Sequence, residues 1–247
     1  MAKNFKVAAV QLDLNKKIRL ILNDIKEYMQ SAKRKNIDII CFPEGSIFRG
    51  PKKNKEIIPK IKEYCKKYKL WCIISTHLRE KKYSYNTALL INDKGVISGK
   101  HRKVHTLGDG PVAPGSKFDI HTTKFCRIGI AICWDISNPK AIYSMAKKGA
   151  KIIFCPMYWC YDEWAHKKNH RKFEKRILES LLLARAYESL VYIVFCNSID
   201  KSEQRLTSYT AIAEPHKIIK EIFNKEGMIT AEIDLNYLSE IRKKTLT

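Results

Sequence analysis

The first 75 residues switch repeatedly between two hydrophobic periods, and that switching restricts the chain to few architectures. VAAVQLDL (7–14) is a largely apolar run that predicts a strand; Ile18, Ile21, Ile25, Tyr28 and Ala32 then recur at three- and four-residue steps, the spacing of one helix face. IDIICF (37–42), closed by Pro43, predicts a short buried strand. Ile57, Ile61, Cys65 and Tyr68 predict a second helix, and LWCIIS (70–75) a third strand. Strand, helix, strand, helix, strand is the order of crossover units, because a parallel neighbour is reached only through a long return connection that covers the sheet.

After residue 80 the rhythm changes. YNTALLIN, the turn NDKG and VISGK (85–100) predict a hairpin in which Gly95 supplies a positive backbone angle. FCRIGIAI (125–132), KIIFC (151–155) and VYIVFC (191–196) predict strands. AIYSMAKK (141–148) and the segment around 170–189, with Phe173, Ile177, Leu181 and Ala184 on one face, predict helices. Three more strand-like runs close the chain near 208–213, 217–223 and 228–233. No repeat or linker divides it, so one mixed α/β domain over 1–247 is expected.

With 247 residues and 45% hydrophobic content, the chain can bury a sizeable core. No stretch approaches the length of a membrane span, and MAKNFKVAAVQ lacks the pattern of a secretory signal, so a soluble, cytoplasmic protein is expected. The eight cysteines fall mostly inside apolar runs, as reduced thiols do. Forty-seven Lys and Arg against 25 Asp and Glu give +22, a field that attracts polyanions such as nucleic acid. The surplus is mostly lysine spread over 52–69, 81–103, 140–151 and 167–176, with no recognisable nucleic-acid motif, and solvated faces are the favoured reading.

Reactive side chains in α/β sheets gather where strands end, because there they leave the core while a rigid scaffold holds them. IDIICF ends in Pro43-Glu44-Gly45, VISGK runs into HRKVH with Lys103 at its centre, and FCRIGIAI ends at Cys133. A carboxylate, an ammonium and a thiol make a working set. Glu44 can take the thiol proton and return it to a leaving amine. Lys103 and the backbone N–H after Cys133 can hold the charge that develops when sulfur attacks a carbonyl or nitrile carbon. Neither a metal nor a cofactor is required. Singly, each residue is as readily explained by packing or turn formation.

Their joint order and surroundings are more specific, and the chain resembles the nitrilase superfamily of carbon–nitrogen hydrolases from its first strand to its last. VAAVQLD is similar to that family's opening strand, IDIICFPEG to the segment bearing its base, YNTALLINDKGVISGKHRKVH to the segment ending in its lysine, and RIGIAICWD to its nucleophile elbow. GAKIIFCPMYW and LLLARAYESLVYIVFCN also resemble the family's. The resemblance implies a four-layer α-β-β-α sandwich forming a homodimer through its α layers. It further implies Glu44, Lys103 and Cys133 as the catalytic set, a thioester on Cys133, and the Trp134 N–H beside Lys103 in the oxyanion site. Trp134, Met157, Tyr158, Trp159 and Asp109 are expected at the substrate. The implied activity is hydrolysis of a small linear amide or N-carbamoyl compound; nitrile hydrolysis, acyl transfer and a basic binding protein that keeps the fold are the alternatives.

The chain also departs from the family pattern. Ile136, Ser137 and Asn138 precede Pro139 where many relatives carry Arg-Phe-Pro. Before Pro114-Gly115 only Asp109 stands in for a second Glu, and His216 and Lys217 occupy a place where a turn glycine is common. Cys155, Cys160, His166 and His170 form a C-x4-C-x5-H-x3-H pattern, but the gap between the pairs is too short for a zinc finger and Cys155 lies in an apolar run, so no metal site is expected.

Overall fold

A computed structural model describes residues 4–48, 50–107, 109–160, 171–199 and 207–246. Strand β1 (Phe5–Asp13) leads into helix α1 (Ile18–Arg34), β2 (Ile39–Cys41), α2 (Pro51–Tyr68), β3 (Trp71–Glu80), β4 (Tyr83–Ile91) and β5 (Ile97–Arg102). There follow β6 (Ile120–Thr122), β7 (Arg127–Ile130), α3 (Pro139–Lys147), β8 (Ile152–Pro156), α4 (Arg171–Ser189), β9 (Tyr192–Cys196) and β10 (Ser198–Ile199). β11 (Tyr209–Glu214), β12 (Lys217–Phe223), β13 (Gly227–Ile233) and α5 (Leu235–Leu246) complete the order.

In the first sheet β1, β2 and β3 run parallel, with Val7 opposite Ile39 and Ile39 opposite Trp71. β4 and β5 continue it antiparallel, and β10 and β13 share the other edge of β1. The second sheet runs β12-β11-β9-β8-β7-β6, parallel where β7, β8 and β9 meet. Period-two alternation divides the first sheet's side chains between two cores. Ala8, Val10, Ile40, Cys72, Ile74 and Leu89 pack against Ile21 and Ile25 of α1 and Ile61 and Cys65 of α2. Val7, Ala9, Ile39, Ile73, Ala88 and Leu90 face the other way and join the second sheet, whose far side is covered by Ile142 and Met145 of α3 and Leu178 and Leu182 of α4. This is an α-β-β-α sandwich with two mixed sheets.

Burial, more than local propensity, holds the helices. α1 has no side-chain cap at Lys17, yet Ile21, Ile25, Met29 and Ala32 are all buried, each large one contributing about 1.5–3 kcal/mol. α3 has both signals: the Asn138 side chain accepts from the Lys140 N–H, and Pro139 occupies the first turn.

The periodicity locates most elements and misplaces a few edges. α2 starts at Pro51, six residues before its first recognised apolar position; proline suits the first turn, and Pro59 within the helix lies on the exposed face. α5 escapes the periodic pattern because only Leu235 and Leu238 of its apolar positions are buried. β6 and β10 span three and two residues, too short for alternation to register. Gly95 has φ 75° as expected, and a Cβ there would lie 2.6 Å from the Lys62 carbonyl oxygen. His166 and His170 lie outside the described residues, within which no helix is long and apolar enough to cross a membrane.

Candidate active site

Three chain segments that follow β2 and β5 of the first sheet and β7 of the second meet in one cavity. Glu44 follows β2 and is fixed at its backbone, where its N–H donates to the Met157 carbonyl (3.1 Å). Lys103 follows β5; its N–H donates to the Asn86 carbonyl (2.8 Å) and its own carbonyl accepts from the Gly115 N–H (2.7 Å). A Cβ at Gly115 would stand 2.3 Å from the Arg102 carbonyl oxygen, so the crossing beside Lys103 requires glycine. Cys133 differs from the sequence expectation. β7 ends at Ile130, and after the Ala131 N–H bonds the Phe154 carbonyl (3.0 Å) the chain turns, making Cys133 the first residue of a short 3-10 turn, Cys133–Ser137. Its φ of 46° is left-handed, a conformation that side-chain-bearing residues adopt at a cost and that marks an elbow.

Within this frame the Lys103 Nζ donates to Glu44 Oε1 at 3.0 Å and to Asp109 Oδ1 at 2.8 Å. Asn86 Nδ2 donates to the same Glu44 oxygen at 2.6 Å. The Cys133 thiol lies beside the Glu44 carboxylate and the Tyr158 backbone N–H, both of which act on its pKa. Glu44, Lys103 and Cys133 are all buried. Burial alone would lower the Lys103 pKa, but the Cys133 sulfur and the Glu44 and Asp109 carboxylates outweigh it and hold the ammonium charged. Glu44 is pushed above the ordinary carboxylate range by burial, with Asp109 adding to the shift and Lys103 opposing it. The Cys133 thiol is raised well above its ordinary value by burial and by Glu44, against the pull of Lys103. The site therefore brings together a neutral thiol, an ammonium, and a carboxyl group of raised basicity beside the thiol.

The cavity above these groups measures about 630 Å³, within the range of small-ligand sites. Trp134, Tyr158 and Trp159 line it, as expected. The Trp134 and Trp159 rings stack at 5.0 Å, and Trp159 is anchored by its Nε1–H to Glu174 (2.7 Å) and its backbone N–H to Asn197 (3.0 Å). Asp109 also lines the cavity, and its bond to Lys103 makes it part of the charged floor. Met157 corrects the expectation. Its side chain is fully buried in the inter-sheet core and is not among the cavity-lining residues; just past β8, its backbone donates to the Cys196 carbonyl and accepts from the Glu44 N–H.

Three polar residues at the cavity escaped the sequence reading, Asn15, Asn86 and His77. Asn86 is a buried polar residue at the head of the apolar run of β4, which is itself a signal. His77 stacks on Phe48 at 4.0 Å, and burial pushes its pKa down, leaving the imidazole neutral. Among the described residues no group of three or more His, Cys, Asp or Glu side chains is arranged to hold a metal ion.

Sandwich layers and a cavity at the strand ends together define a nitrilase-type hydrolase fold. Residues 6–243 match the carbon-nitrogen hydrolase family, and the chain belongs to it. It is 25% identical over 276 residues to omega-amidase NIT2-A of Xenopus laevis, covering 99% of this chain and 93% of that protein. It is 28% identical over 175 residues to the deaminated glutathione amidase of Homo sapiens, covering 64% of this chain and 50% of that one. The crystal structure of a carbon-nitrogen hydrolase from Helicobacter pylori G27 superposes with a TM-score of 0.88 at 19% identity, over 99% of this chain and 94% of the other.

Proposed function

We propose that this chain is an amidase that cleaves a small linear amide or N-carbamoyl compound through a thioester on Cys133. The observation that carries the proposal is that Glu44 is shared: one buried carboxylate is bonded by the Lys103 ammonium at 3.0 Å and lies close enough to the Cys133 thiol to raise its pKa. As the Cys133 sulfur approaches the carbonyl carbon, Glu44 takes the thiol proton. The negative charge forming on the substrate oxygen is met by Lys103 and by the Trp134 N–H, which sits too early in its turn to have an intrahelical acceptor. Collapse of the tetrahedral species breaks the C–N bond, the proton held by Glu44 passes to the leaving nitrogen, and ammonia or an amine departs. Water, deprotonated by Glu44, then attacks the thioester; the acid leaves and the sulfur regains a proton. Asp109 keeps the Lys103 ammonium from pairing with Glu44 alone.

Ammonia release from a panel of amides, N-carbamoyl compounds and nitriles tests this directly. The proposal expects at least one amide or carbamoyl compound to turn over with equimolar acid formed; turnover confined to nitriles would replace it with the nitrilase alternative. Salt-sensitive retention on nucleic acid that survives Cys133→Ala, with no turnover of any panel member, would favour the binding-protein alternative.

The same reading includes a cytoplasmic homodimer. All eight cysteines are free thiols, in keeping with a reducing compartment. Phe173, Ile177 and Tyr187 on α4 and Tyr143 on α3 are exposed on the outer α layer, the kind of apolar surface that a second copy covers. Sedimentation of the wild type is expected to give a dimer and Ile177→Lys to shift it toward monomer; a monomeric wild type would overturn this part.

A further inference from the structure

The Asp135 carboxylate is fully buried two residues after Cys133, yet it touches nothing in the cavity. Its bonds run elsewhere, and they join the two chain segments whose separation matters most. Oδ2 accepts from the Ile132 N–H at 2.9 Å, directly behind the nucleophile, while the Asp135 N–H returns a bond to the Ile132 carbonyl at 3.0 Å. Oδ1 accepts from the Val104 N–H at 3.1 Å and the His105 N–H at 2.9 Å, the two residues that follow Lys103. Two imidazoles complete the set: His101 Nε2 lies 3.1 Å from Oδ2 and His105 Nδ1 3.1 Å from Oδ1.

The hydrogen assignments follow from the partners. An ionised carboxylate only accepts, so both ring nitrogens facing it carry hydrogens. Asn138 Oδ1 accepts from the Lys140 N–H, so its Nδ2 is the group that donates to His105 Nε2 at 3.1 Å. Phe118 stacks on both imidazoles, 5.7 Å from His101 and 5.9 Å from His105. One carboxylate thus receives five donors, two from the imidazoles, one from the elbow and two from the lysine segment. These hydrogen bonds, together with burial that works against them, leave it below the usual Asp range and charged.

We infer that Asp135 is a positioning residue that holds the Cys133 elbow and the Lys103 segment in register, so that sulfur and ammonium face the same substrate carbon and oxygen. Its role rests on the amidase reading only for its consequence in turnover; the geometry it sets stands apart from that reading. Cys133 adopts a left-handed φ that a free loop would relax, and the bond from Ile132 to Oδ2 pins the peptide immediately before it. An asparagine at 135 keeps an oxygen for Val104 and His105 but presents an NH₂ to the Ile132 N–H. His101 can reverse its tautomer to accept from that NH₂; a backbone N–H cannot.

Two readouts on Asp135→Asn test this, both made on protein whose circular dichroism matches the wild type. In steady-state hydrolysis of the amide found by the panel, kcat falls on the order of 10²-fold, the cost of a misplacement near 1 Å, while KM changes less than about threefold because no cavity-lining group is lost. Alkylation of Cys133 by iodoacetamide, followed at that peptide by mass spectrometry, shows its pH midpoint displaced upward, because the ammonium no longer faces the sulfur. The groups facing Cys133 in this profile are Glu44 and Lys103, with Asp109 behind the lysine, and all three are unchanged in the variant. If Asp135→Asn fails to fold, His105→Phe keeps the ring against Phe118, removes one bond to Oδ1 and is expected to move both readouts in the same direction by less. A lower melting temperature with kcat and the alkylation profile both within twofold of wild type would reduce Asp135 to a core residue and overturn the inference. Should the wild type hydrolyse no amide, the amidase reading fails, while the alkylation comparison still decides the positioning role.

Discussion

Cys133→Ala is expected to remove amide hydrolysis altogether, a fall on the order of 10⁴-fold or more in kcat, because Cys133 is the cavity thiol set beside Glu44 and Lys103, while Cys160 at the rim is exposed. The change should leave the fold intact. Cys133 is 8% exposed at the cavity floor, and alanine loses one sulfur atom from a site already open to ligand. The elbow keeps its left-handed φ with either side chain, so backbone strain is common to both proteins. Substrate should still bind, with a dissociation constant within a few-fold of the wild-type KM if acylation limits turnover. The check pairs an ammonia assay with calorimetric titration of the variant. Residual turnover above about one per cent of wild type, in protein free of wild-type contamination, would point to another nucleophile.

The second large effect belongs to Lys103. Lys103→Met keeps the length of the side chain and removes its charge, leaving the buried Glu44 and the partly buried Asp109 without the cation that pairs with both. Breaking a buried ion pair from one side costs about 3–5 kcal/mol, and losing an oxyanion donor costs roughly 10²–10³ in kcat, so both stability and activity should fall. The pH dependence identifies the cause. Burial already raises the Glu44 pKa above its unfolded value, and without the ammonium that opposes it the shift grows. A carboxyl whose pKa is higher folded than unfolded binds a proton on folding, so its penalty is full above the folded pKa and vanishes as pH falls through it toward the unfolded value near 4.5. Urea unfolding of Lys103→Met should therefore show a smaller deficit against wild type at pH 5 than at pH 8. An equal deficit at both would mean lost packing, not uncompensated charge.

What the sequence discloses follows from the range of the forces involved. The β–α alternation of the first 75 residues is local patterning, and β1 to β3 with α1 and α2 appear where the periods place them. Glu44, Lys103 and Cys133 were legible as strand-end residues in ordered motifs, but their convergence depends on pairings of distant segments, such as Glu44 with Met157 and Lys103 with Gly115. Met157 was misplaced because a strand-end position does not disclose which way the last side chains point. Asp109, one residue out of place and one methylene shorter than a Glu, still reaches Lys103 at 2.8 Å, which no spacing rule shows. Asn86 shows in the sequence only as a polar residue in an apolar run, and the five donors of Asp135 do not show at all, since the Glu44 carboxylate that Asn86 bonds and most of the groups that bond Asp135 lie on other segments.

The shared carboxylate also accounts for a resting site that is chemically quiet. The thiol is held protonated by burial and by Glu44, so alkylating agents and oxidants meet a poor nucleophile; in the proposed mechanism Glu44 takes the proton only as the sulfur attacks. The left-handed elbow, the Glu44 and Asp109 carboxylates on Lys103 and the stacked Trp134 and Trp159 are held by the protein's own contacts. Preorganisation of this kind removes reorganisation cost from the chemical step.

Rapid quenching of the reaction with its best amide, followed by intact-mass and peptide analysis, is the most direct measurement. The mechanism predicts a transient mass increase equal to the acyl group, located on the peptide carrying Cys133, with both its formation and its clearance slowed in Glu44→Gln, which lacks the base of both steps. Steady hydrolysis with no adduct on that cysteine at any quench time, in the wild type or in Glu44→Gln, would contradict it.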